Sequence, residues 1–360
     1  MSKPVLLISE GLDRSEMAVI EGMHERGVAL EVMLDPGKPA YSALEAAGVS
    51  LIPLKLGGRL DGKAVRVIRR RVKDGVRLVH CLRNNRPLAN TILATWCIQV
   101  PIVAYRGTMG NLGWWDPGSR TTYLHKRVTK LIAVSEGVRS YLVNEIGLEQ
   151  KKVVTIHKGH CPAWYEVKDP SDPELLNIQP DEFVIACVAN MRPLKGVDTL
   201  IKALEYLPAK PIIHLLLVGK VLDENIYKLA AENNSPHRIN IVGYREDGAA
   251  IAGLGDAFVM ASKRREGLPR AVIEAMSQGK PAIVTEVGGM PELVEHEVCG
   301  LVVPPDDPKA MAQAFLRYAN DSALVQLHGA AARERIETAF HVNRTIEKTM
   351  RVYDEVAPHQ

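Results

Sequence analysis

The feature that most constrains this chain is an alternation, repeated in two sets, of short β-rich apolar runs with longer helical stretches. In the first half the runs fall at residues 4–9, 29–34, 50–54, 78–82, 101–105, 130–135 and 153–157. In the second they fall at 183–189, 212–219, 239–244, 257–262, 282–286 and 301–304. Several are nearly unbroken Val, Ile and Leu, the composition of strands covered by helices on both faces. Alternation of this kind predicts a parallel, doubly wound α/β sheet. Two such sets predict two domains, and 360 residues suit two cores better than one. Between the sets, residues 168–173 read Lys-Asp-Pro-Ser-Asp-Pro, a polar, proline-rich stretch of linker composition. The expected division is a first domain over residues 1–165 and a second over 166–339. Residues 340–360 form an amphipathic helix expected to pack back on the first domain.

Composition removes several classes of protein. No window holds the ~18 uninterrupted apolar residues of a membrane span, and the amino-terminal apolar run is too short for a signal peptide. The five cysteines, Cys81, Cys97, Cys161, Cys187 and Cys299, are odd in number, widely spaced and without a CxxC pair. That argues against a disulfide framework and a zinc site and fits a cytoplasmic location. Charge is distributed unevenly. Residues 1–160 hold 24 Lys and Arg against 14 Asp and Glu, and the remaining 200 residues hold 21 against 28. A basic lobe of this kind steers toward an anionic surface, either nucleic acid or phospholipid headgroups. Its densest part carries Lys63, Arg66, Arg69, Arg70, Arg71 and Lys73, with Val65, Ile68 and Val72 at helical spacing. This segment reads as a solvated helix face, or as a docking face for anionic lipid at the inner face of the cytoplasmic membrane.

Ligands of parallel doubly wound sheets sit beyond the carboxyl ends of the strands, so the loops after strands carry the candidate chemistry. After residues 183–189 comes Asn190-Met191-Arg192-Pro193-Leu194-Lys195-Gly196, two cations ahead of a helix, an arrangement suited to a diphosphate. After residues 257–262 comes Lys263-Arg264-Arg265-Glu266-Gly267-Leu268-Pro269-Arg270, running into a helix that carries Glu274 among Val272, Ile273 and Met276. A carboxylate among apolar positions needs a hydrogen-bonding partner, and ligand hydroxyls are good ones, unless the residue simply faces solvent. After residues 282–286 comes Val287-Gly288-Gly289-Met290-Pro291-Glu292-Leu293, whose paired glycines allow positive φ and close backbone approach.

Together these segments resemble the retaining glycosyltransferases of family 4, which have the GT-B fold of two Rossmann-like domains facing a cleft. The matching pieces are Arg192 with Lys195-Gly196, Glu266-Gly267-Leu268-Pro269 through Glu274-Ala275-Met276, and Gly288-Gly289-Met290-Pro291-Glu292-Leu293-Val294. Gly300-Leu301-Val302-Val303-Pro304-Pro305 continues the likeness, which is strong over residues 183–315 and thinner before them. The resemblance implies that Glu266, the first residue of a Glu-x(7)-Glu motif, contacts the donor sugar and that Glu274 contacts its ribose. It implies further that Arg192 and Lys195 hold the diphosphate and that Gly267, Leu268, Arg270 and Ala271 offer backbone amides near it. Pro269 stands where many members have a glycine and offers no amide. Gly243 and Tyr244 resemble the segment whose backbone meets the nucleobase, and Gly11 the family's glycine loop.

A dinucleotide fingerprint is absent, because only Gly11 follows the first strand and G-x-G-x-x-G is missing. Two polar loops follow strands in the first half. One carries Arg83, Asn84, Asn85 and Arg86; the other carries Arg106, Thr108 and Asn111 and runs on to Trp114 and Trp115. Arg106 stands where many members have a histidine, suited to leaving-group charge or an anionic acceptor. The tryptophan pair suits sugar stacking, a membrane interface or core packing. Lys158-Gly159-His160 stands where many relatives have Asn-Gly. On the acceptor side the candidates are therefore Arg83, Asn84, Arg106, Thr108, Asn111, Trp114, Trp115 and His160.

The implied reaction moves a sugar, with retention, from a UDP- or GDP-sugar to a hydroxyl of a glycan or glycolipid acceptor in lipopolysaccharide, capsule or other envelope glycan synthesis. Glu266, Arg192 and Lys195 are the candidate catalytic residues. With no Asp-x-Asp after a strand, lysine and arginine are expected to do the work of a metal, and no cofactor beyond the nucleotide sugar is expected. A sugar-nucleotide epimerase on the same fold is the alternative. A nucleic-acid-binding protein lacks an aromatic-basic recognition motif here, and nucleic acid is not expected as a partner.

Overall fold

The computed structural model describes residues 3–83, 85–166 and 173–358. It divides the chain into one unit of Met1–Gly159 with Val342–Gln360 and a second of His160–His341.

In the first unit the strands are β1 (Val5–Ile8), β2 (Leu30–Leu34), β3 (Ser50–Pro53), β4 (Leu78–Cys81), β5 (Ile102–Arg106), β6 (Val128–Ala133) and β7 (Val153–Thr155). Among the described residues they form one parallel sheet in the order β3-β2-β1-β4-β5-β6-β7. Val5 lies opposite both Leu30 and Leu78, and every side chain of β1 and β4 is buried, as a strand covered on both faces requires.

The helix Val342–Val356 belongs to this first unit although it follows the second in the chain. Val342, Ile346, Thr349 and Tyr353 recur at helical spacing and are buried. Polar contacts hold the same helix in register. The Tyr353 hydroxyl is 2.7 Å from His80 Nδ1, and Thr345 Oγ1 donates to the His157 carbonyl at 2.9 Å. Lys130 and Arg77 pair with Glu355 and Asp354 at 2.5 and 2.6 Å. Burial drives the His80 imidazole down to about 3, so it sits there neutral.

In the second unit the strands are β8 (Glu182–Val188), β9 (Ile212–Val218), β10 (Arg238–Gly243), β11 (Ala257–Met260), β12 (Ala282–Thr285) and β13 (Gly300–Val303). All described pairings are again parallel, in the order β10-β9-β8-β11-β12-β13. The core packs Leu200, Leu204, Leu215, Leu217 and Phe315 on one face and Phe258, Met260, Val272, Met276 and Val284 on the other.

The unit boundaries differ from the sequence expectation by a few residues. The His160 amide donates to the Phe340 carbonyl at 2.8 Å, and His160 and His341 form a parallel bridge. The outgoing and returning strands therefore pair at these positions, ahead of the proline-rich stretch. Residues 168–172 of that stretch lie outside the described residues.

Both sheets reverse their winding beside the first strand, between β1 and β4 and between β8 and β11. In open α/β sheets this is where the loops splay and a ligand can enter.

Candidate functional site

The second unit builds its site at the carboxyl ends of β8, β11 and β12. After β8 the chain makes a short turn, Pro193–Lys195, and enters the helix Val197–Ala203 through Gly196. Gly196 has φ of +66°, and a Cβ there would lie 2.0 Å from the Ala261 carbonyl oxygen. Only glycine lets this loop rest on the end of β11. The Lys263 amide donates to the Leu194 carbonyl at 2.8 Å and ties the two loops together.

This seating brings Lys195 Nζ to 2.6 Å from Glu266 Oε2, across 71 positions of sequence. The same carboxylate oxygen accepts Ser262 Oγ at 2.7 Å. The Ser262 carbonyl in turn accepts Thr285 Oγ1 from the end of β12 at 2.5 Å. Gly288 supports Glu266 from below: its φ is +58°, and a Cβ there would stand 1.9 Å from the Glu266 carbonyl oxygen. The Gly289 amide donates to the Gly267 carbonyl at 3.0 Å.

Behind this cluster Lys263 bridges Asp198 at 2.9 Å and Asp306 at 2.6 Å, and Thr199 Oγ1 donates to Asp306 at 3.2 Å. Burial disfavours the Lys263 charge, but the two carboxylates outweigh it and raise its ammonium above the usual range. The loops after β8, β11, β12 and β13 are thus fastened to one another, the kind of support that holds a reactive side chain in one geometry.

The helix Arg270–Ser277 begins four residues after Glu266. Its capping position is Pro269, which has no side chain to satisfy the first amides, so those of Arg270 and Ala271 start the helix without a side-chain acceptor. Glu274 is only 8% exposed. Burial pushes its carboxyl above the ordinary range, opposed by Arg270, whose Nε lies 2.9 Å away. Glu274 and Arg270 line a pocket of about 290 Å³ together with Asn190, Gly219, Tyr244 and Arg245. Gly243 shapes its rim, with φ of +82° and its carbonyl accepting from the Gly219 amide at 2.7 Å. Tyr244 is exposed, with the Lys220 ammonium 5.2 Å from its ring centre, and Arg245 grips Asp247 through two contacts of 2.8 and 2.7 Å.

Of the residues expected on the donor side, the structure therefore joins Lys195 to Glu266 directly. It sets Tyr244, Arg270, Ala271 and Glu274 around one pocket, with Gly243 at its edge and Gly267 and Leu268 in the turn between. Arg192 is exposed, and its guanidinium has no partner among the described residues.

The first unit places its candidates differently. Gly11 accepts from Ser9 Oγ at 2.7 Å, and a Cβ on it would meet nothing within 4 Å, so the fold itself does not require glycine there. The helix that follows, Arg14–Glu25, is closed by its own capping box: Asp13 accepts from the Glu16 amide and Glu16 from the Asp13 amide. Arg83 and Lys158 each contact both Asp13 and Glu16, Arg83 reaching Glu16 at 2.6 Å and Lys158 at 3.2 Å. Burial raises the Asp13 carboxyl, but Lys158 and Arg83 outweigh it and hold it below the usual carboxylate range. Arg83 is thus committed to an internal four-charge cluster.

Arg106 is buried and also turned inward, donating to the Thr108 carbonyl at 2.9 Å and to that of Gly110, with Tyr123 under its guanidinium at 5.0 Å. It shapes the loop that presents exposed Thr108 and Asn111. Asn84 lies outside the described residues. Trp114 donates from Nε1 to the Ile146 carbonyl at 2.7 Å, and Trp115 stands in solvent. His160 falls in the second unit, buried, with Nδ1 2.7 Å from the Tyr165 hydroxyl and its ring against Trp164.

Sequence reasoning passed over Ser262, Thr285 and Lys263, which position Glu266 and its loop. Ser262 and Thr285 both end apolar strands, and a hydroxyl at that place beside a charged loop is the signal that points to them.

Residues 169–335 match the family model for "Glycosyl transferases group 1". The chain is 25% identical over 238 residues to UDP-Gal:alpha-D-GlcNAc-diphosphoundecaprenol alpha-1,3-galactosyltransferase of Escherichia coli, covering 63% of this chain and 60% of that protein. It spans about half the length of the curated relatives it matches, from 45% to 60% across four of them. Among solved structures, a glycosyltransferase from Rickettsia africae ESF-5 superposes with a TM-score of 0.81 at 20% identity, covering 99% of this chain and 98% of that one. Anabaena Alr3699/HepE in complex with UDP superposes with a TM-score of 0.78 at 20% identity, covering 98% and 100%. The two-domain parallel α/β architecture expected from the sequence is thus the GT-B fold of solved glycosyltransferases.

Proposed function

We propose that this chain is a retaining glycosyltransferase that takes a nucleoside diphosphate sugar in its second unit and delivers the sugar to a hydroxyl of an envelope glycan or glycolipid. The observation that carries the reading is the Glu266 carboxylate, held by Lys195 and Ser262 on a glycine-bedded turn that runs into the helix carrying Glu274. Glu274 is a buried carboxyl with one exposed cation beside it, and ribose hydroxyls are suitable partners for its remaining lone pairs. The uncapped start of the helix Arg270–Ser277 suits phosphate oxygens. Lys195 and Arg192 supply cations to a diphosphate whose negative charge grows as the sugar leaves, which is the electrostatic task of the reaction. Glu266 then orients the donor sugar. On this reading no metal is needed. The matched family model and the E. coli relative, named for a UDP-Gal donor and a lipid-diphosphate acceptor, favour a nucleotide-sugar donor and an envelope acceptor.

Calorimetry against UDP-, GDP- and ADP-sugars, followed by turnover with and without candidate acceptors, tests the proposal. Glu266→Ala is expected to lower turnover by a factor on the order of 10² to 10³ with an unchanged melting curve. Lys195→Ala is expected mainly to weaken nucleotide binding. Near-normal turnover in Glu266→Ala would overturn the assignment, and acceptor-free conversion of the donor sugar would favour an epimerase.

A further inference from the structure

Between Lys55 and Lys130 the chain carries 16 Lys and Arg residues against three acidic ones, Asp61, Asp74 and Asp116. Two of the three are spent on helix caps: Asp61 accepts from the Lys63 and Ala64 amides, and Asp116 from those of Gly118 and Ser119. Arg71, Arg77, Arg83, Arg86 and Lys130 pair with acids from outside the stretch and Arg106 is buried, so the cationic character of this surface rests on the cations that remain exposed.

The helix Gly62–Lys73 shows how that charge is arranged. Ala64, Ile68 and Val72 are buried against the first unit. Lys63, Arg66, Val67, Arg70 and Lys73 are exposed at spacings of three and four residues and so form one stripe. None of these four cations has an ion pair among the described residues. Arg71, by contrast, grips Glu31 through two contacts and the Gly75 carbonyl at 3.0 Å, and Arg69 turns toward the Ala94 carbonyl at 3.4 Å. The available charges are thus Lys63, Arg66, Arg70 and Lys73, not the run of three arginines that stands out in the sequence.

A solvated helix face would explain the cations but not the apolar side chains next to them. Leu60, immediately before the helix, is 83% exposed, Trp96 is 65% exposed and Trp115 is 99% exposed. The surrounding elements are fastened to the same helix. Asn90 bridges the Gly58 carbonyl and the Asp61 amide at 2.8 and 2.9 Å, and the Arg59 guanidinium lies against Gly118, in the turn that follows Trp115. Fully exposed Trp and Leu beside unpaired Lys and Arg is the composition of a surface that sits at a bilayer interface, rings among the headgroups and cations on the phosphates.

We infer that this face of the first unit docks reversibly on an anionic phospholipid bilayer, through the stripe Lys63, Arg66, Arg70 and Lys73 with Leu60 and Trp115 entering the headgroup layer. The inference deepens the glycolipid side of the proposed function but is tested without it. The assay is sedimentation of the full chain with vesicles of phosphatidylcholine alone or mixed with phosphatidylglycerol, at low and high salt. Wild type is expected to bind only the mixed vesicles and to be released by salt, because the Debye length shortens to a few ångströms. Replacing all four stripe cations by Gln is expected to lower binding by roughly 600-fold, at roughly fivefold per charge. Leu60→Ser with Trp115→Ser is expected to lower it about tenfold on the same vesicles. Melting curves and nucleotide-sugar calorimetry of the quadruple variant keep folding and the donor site in view, so failure of donor binding and failure of docking are read separately. Equal vesicle binding by the quadruple variant would overturn the inference. So would wild-type binding that ignores phosphatidylglycerol, or capture of a DNA oligonucleotide with none of the vesicles.

Discussion

Gly288 and Gly243 offer a matched test of how the site is built. Both adopt a left-handed backbone, with φ of +58° and +82°. An alanine at either one has to accept that conformation, at a cost of about 1 to 2 kcal/mol. The two differ in what a methyl group would meet. At Gly243 there is nothing within 4 Å, whereas at Gly288 the added carbon lands 1.9 Å from the Glu266 carbonyl oxygen and 2.8 Å from its carbonyl carbon. The neighbour is backbone, so relief requires the turn that carries Glu266 to move by an ångström or more.

Overpacking of this kind adds about 1 to 3 kcal/mol. Gly288→Ala should therefore cost about 2 to 5 kcal/mol where Gly243→Ala costs about 1 to 2. For a unit of this size 1 kcal/mol moves the melting point by about 2–4 °C, so Gly243→Ala should lower it by only a few degrees and Gly288→Ala by roughly 10 °C. The displaced turn should also break the contact between Lys195 and Glu266, and a shift of about 1 Å at a reacting group is worth about a hundredfold in rate. Differential scanning calorimetry of both variants, with turnover of Gly288→Ala at a temperature where it remains folded, measures each part. The reasoning fails if the two variants melt within a degree or two of each other, or if folded Gly288→Ala turns over like wild type.

Two further outcomes follow from buried charge. Because burial raises the Glu274 carboxyl, its native-state pKa stands above the unfolded value, so the stability linked to it is complete below the ordinary carboxylate range and falls as pH rises through the native value. Glu274→Gln should thus melt higher than wild type at neutral pH and lose that advantage in acid, while nucleotide affinity drops by about ten- to a hundredfold for one lost charged hydrogen bond; melting curves across pH and calorimetry with the donor nucleotide read both. Asp13 has the opposite sign: its native pKa is depressed by Lys158 and Arg83, so its contribution is present above the unfolded value near 3.8 and lost as pH falls through the native one. Lys158→Met should destabilise the first unit by about 1–3 kcal/mol at neutral pH. The gap to wild type should close in acid, and a pH-independent gap in denaturant melts would count against the four-charge cluster.

Much of the site was legible in linear order because its parts are loops that follow strands. The periodicity of apolar runs marked where β8, β11 and β12 end, and the residues just beyond, Lys195, Glu266 and Gly288, are those the structure draws together. Glu274 was only half legible: a carboxylate among Val272, Ile273 and Met276 either is buried with a partner or faces solvent, and the structure buries it. Partner choice was not legible. Nothing in the local sequence says that Arg83 spends its charge on Asp13 and Glu16, or that Arg106 folds back on the Thr108 and Gly110 carbonyls. Each of those arginines read equally well as a ligand contact, because sequence reports a charge but not whether its partner is an acid 67 or 70 positions away, as for Arg83, or a carbonyl of its own loop, as for Arg106. The basic helix teaches the same lesson, since of the six cations read from its sequence only Lys63, Arg66, Arg70 and Lys73 are exposed, while Arg69 and Arg71 turn to partners in the fold.

What this sequence determines by itself is everything set by period and by residue chemistry: two parallel α/β sheets, the loops after strands that form the candidate site, and glycines where backbone meets backbone. These are local consequences of burying apolar strands under helices. Tertiary structure alone decided which charges are already neutralised inside the fold and which remain for a ligand or a surface. It also decided the register of Val342–Val356, whose return to the first unit the sequence already suggested, through contacts of Tyr353 with His80 and of Thr345 with the His157 carbonyl. The reason is that a charge or a helix face finds its partner by distance in space, and parallel sheets bring together residues that their crossover connections keep far apart in the chain.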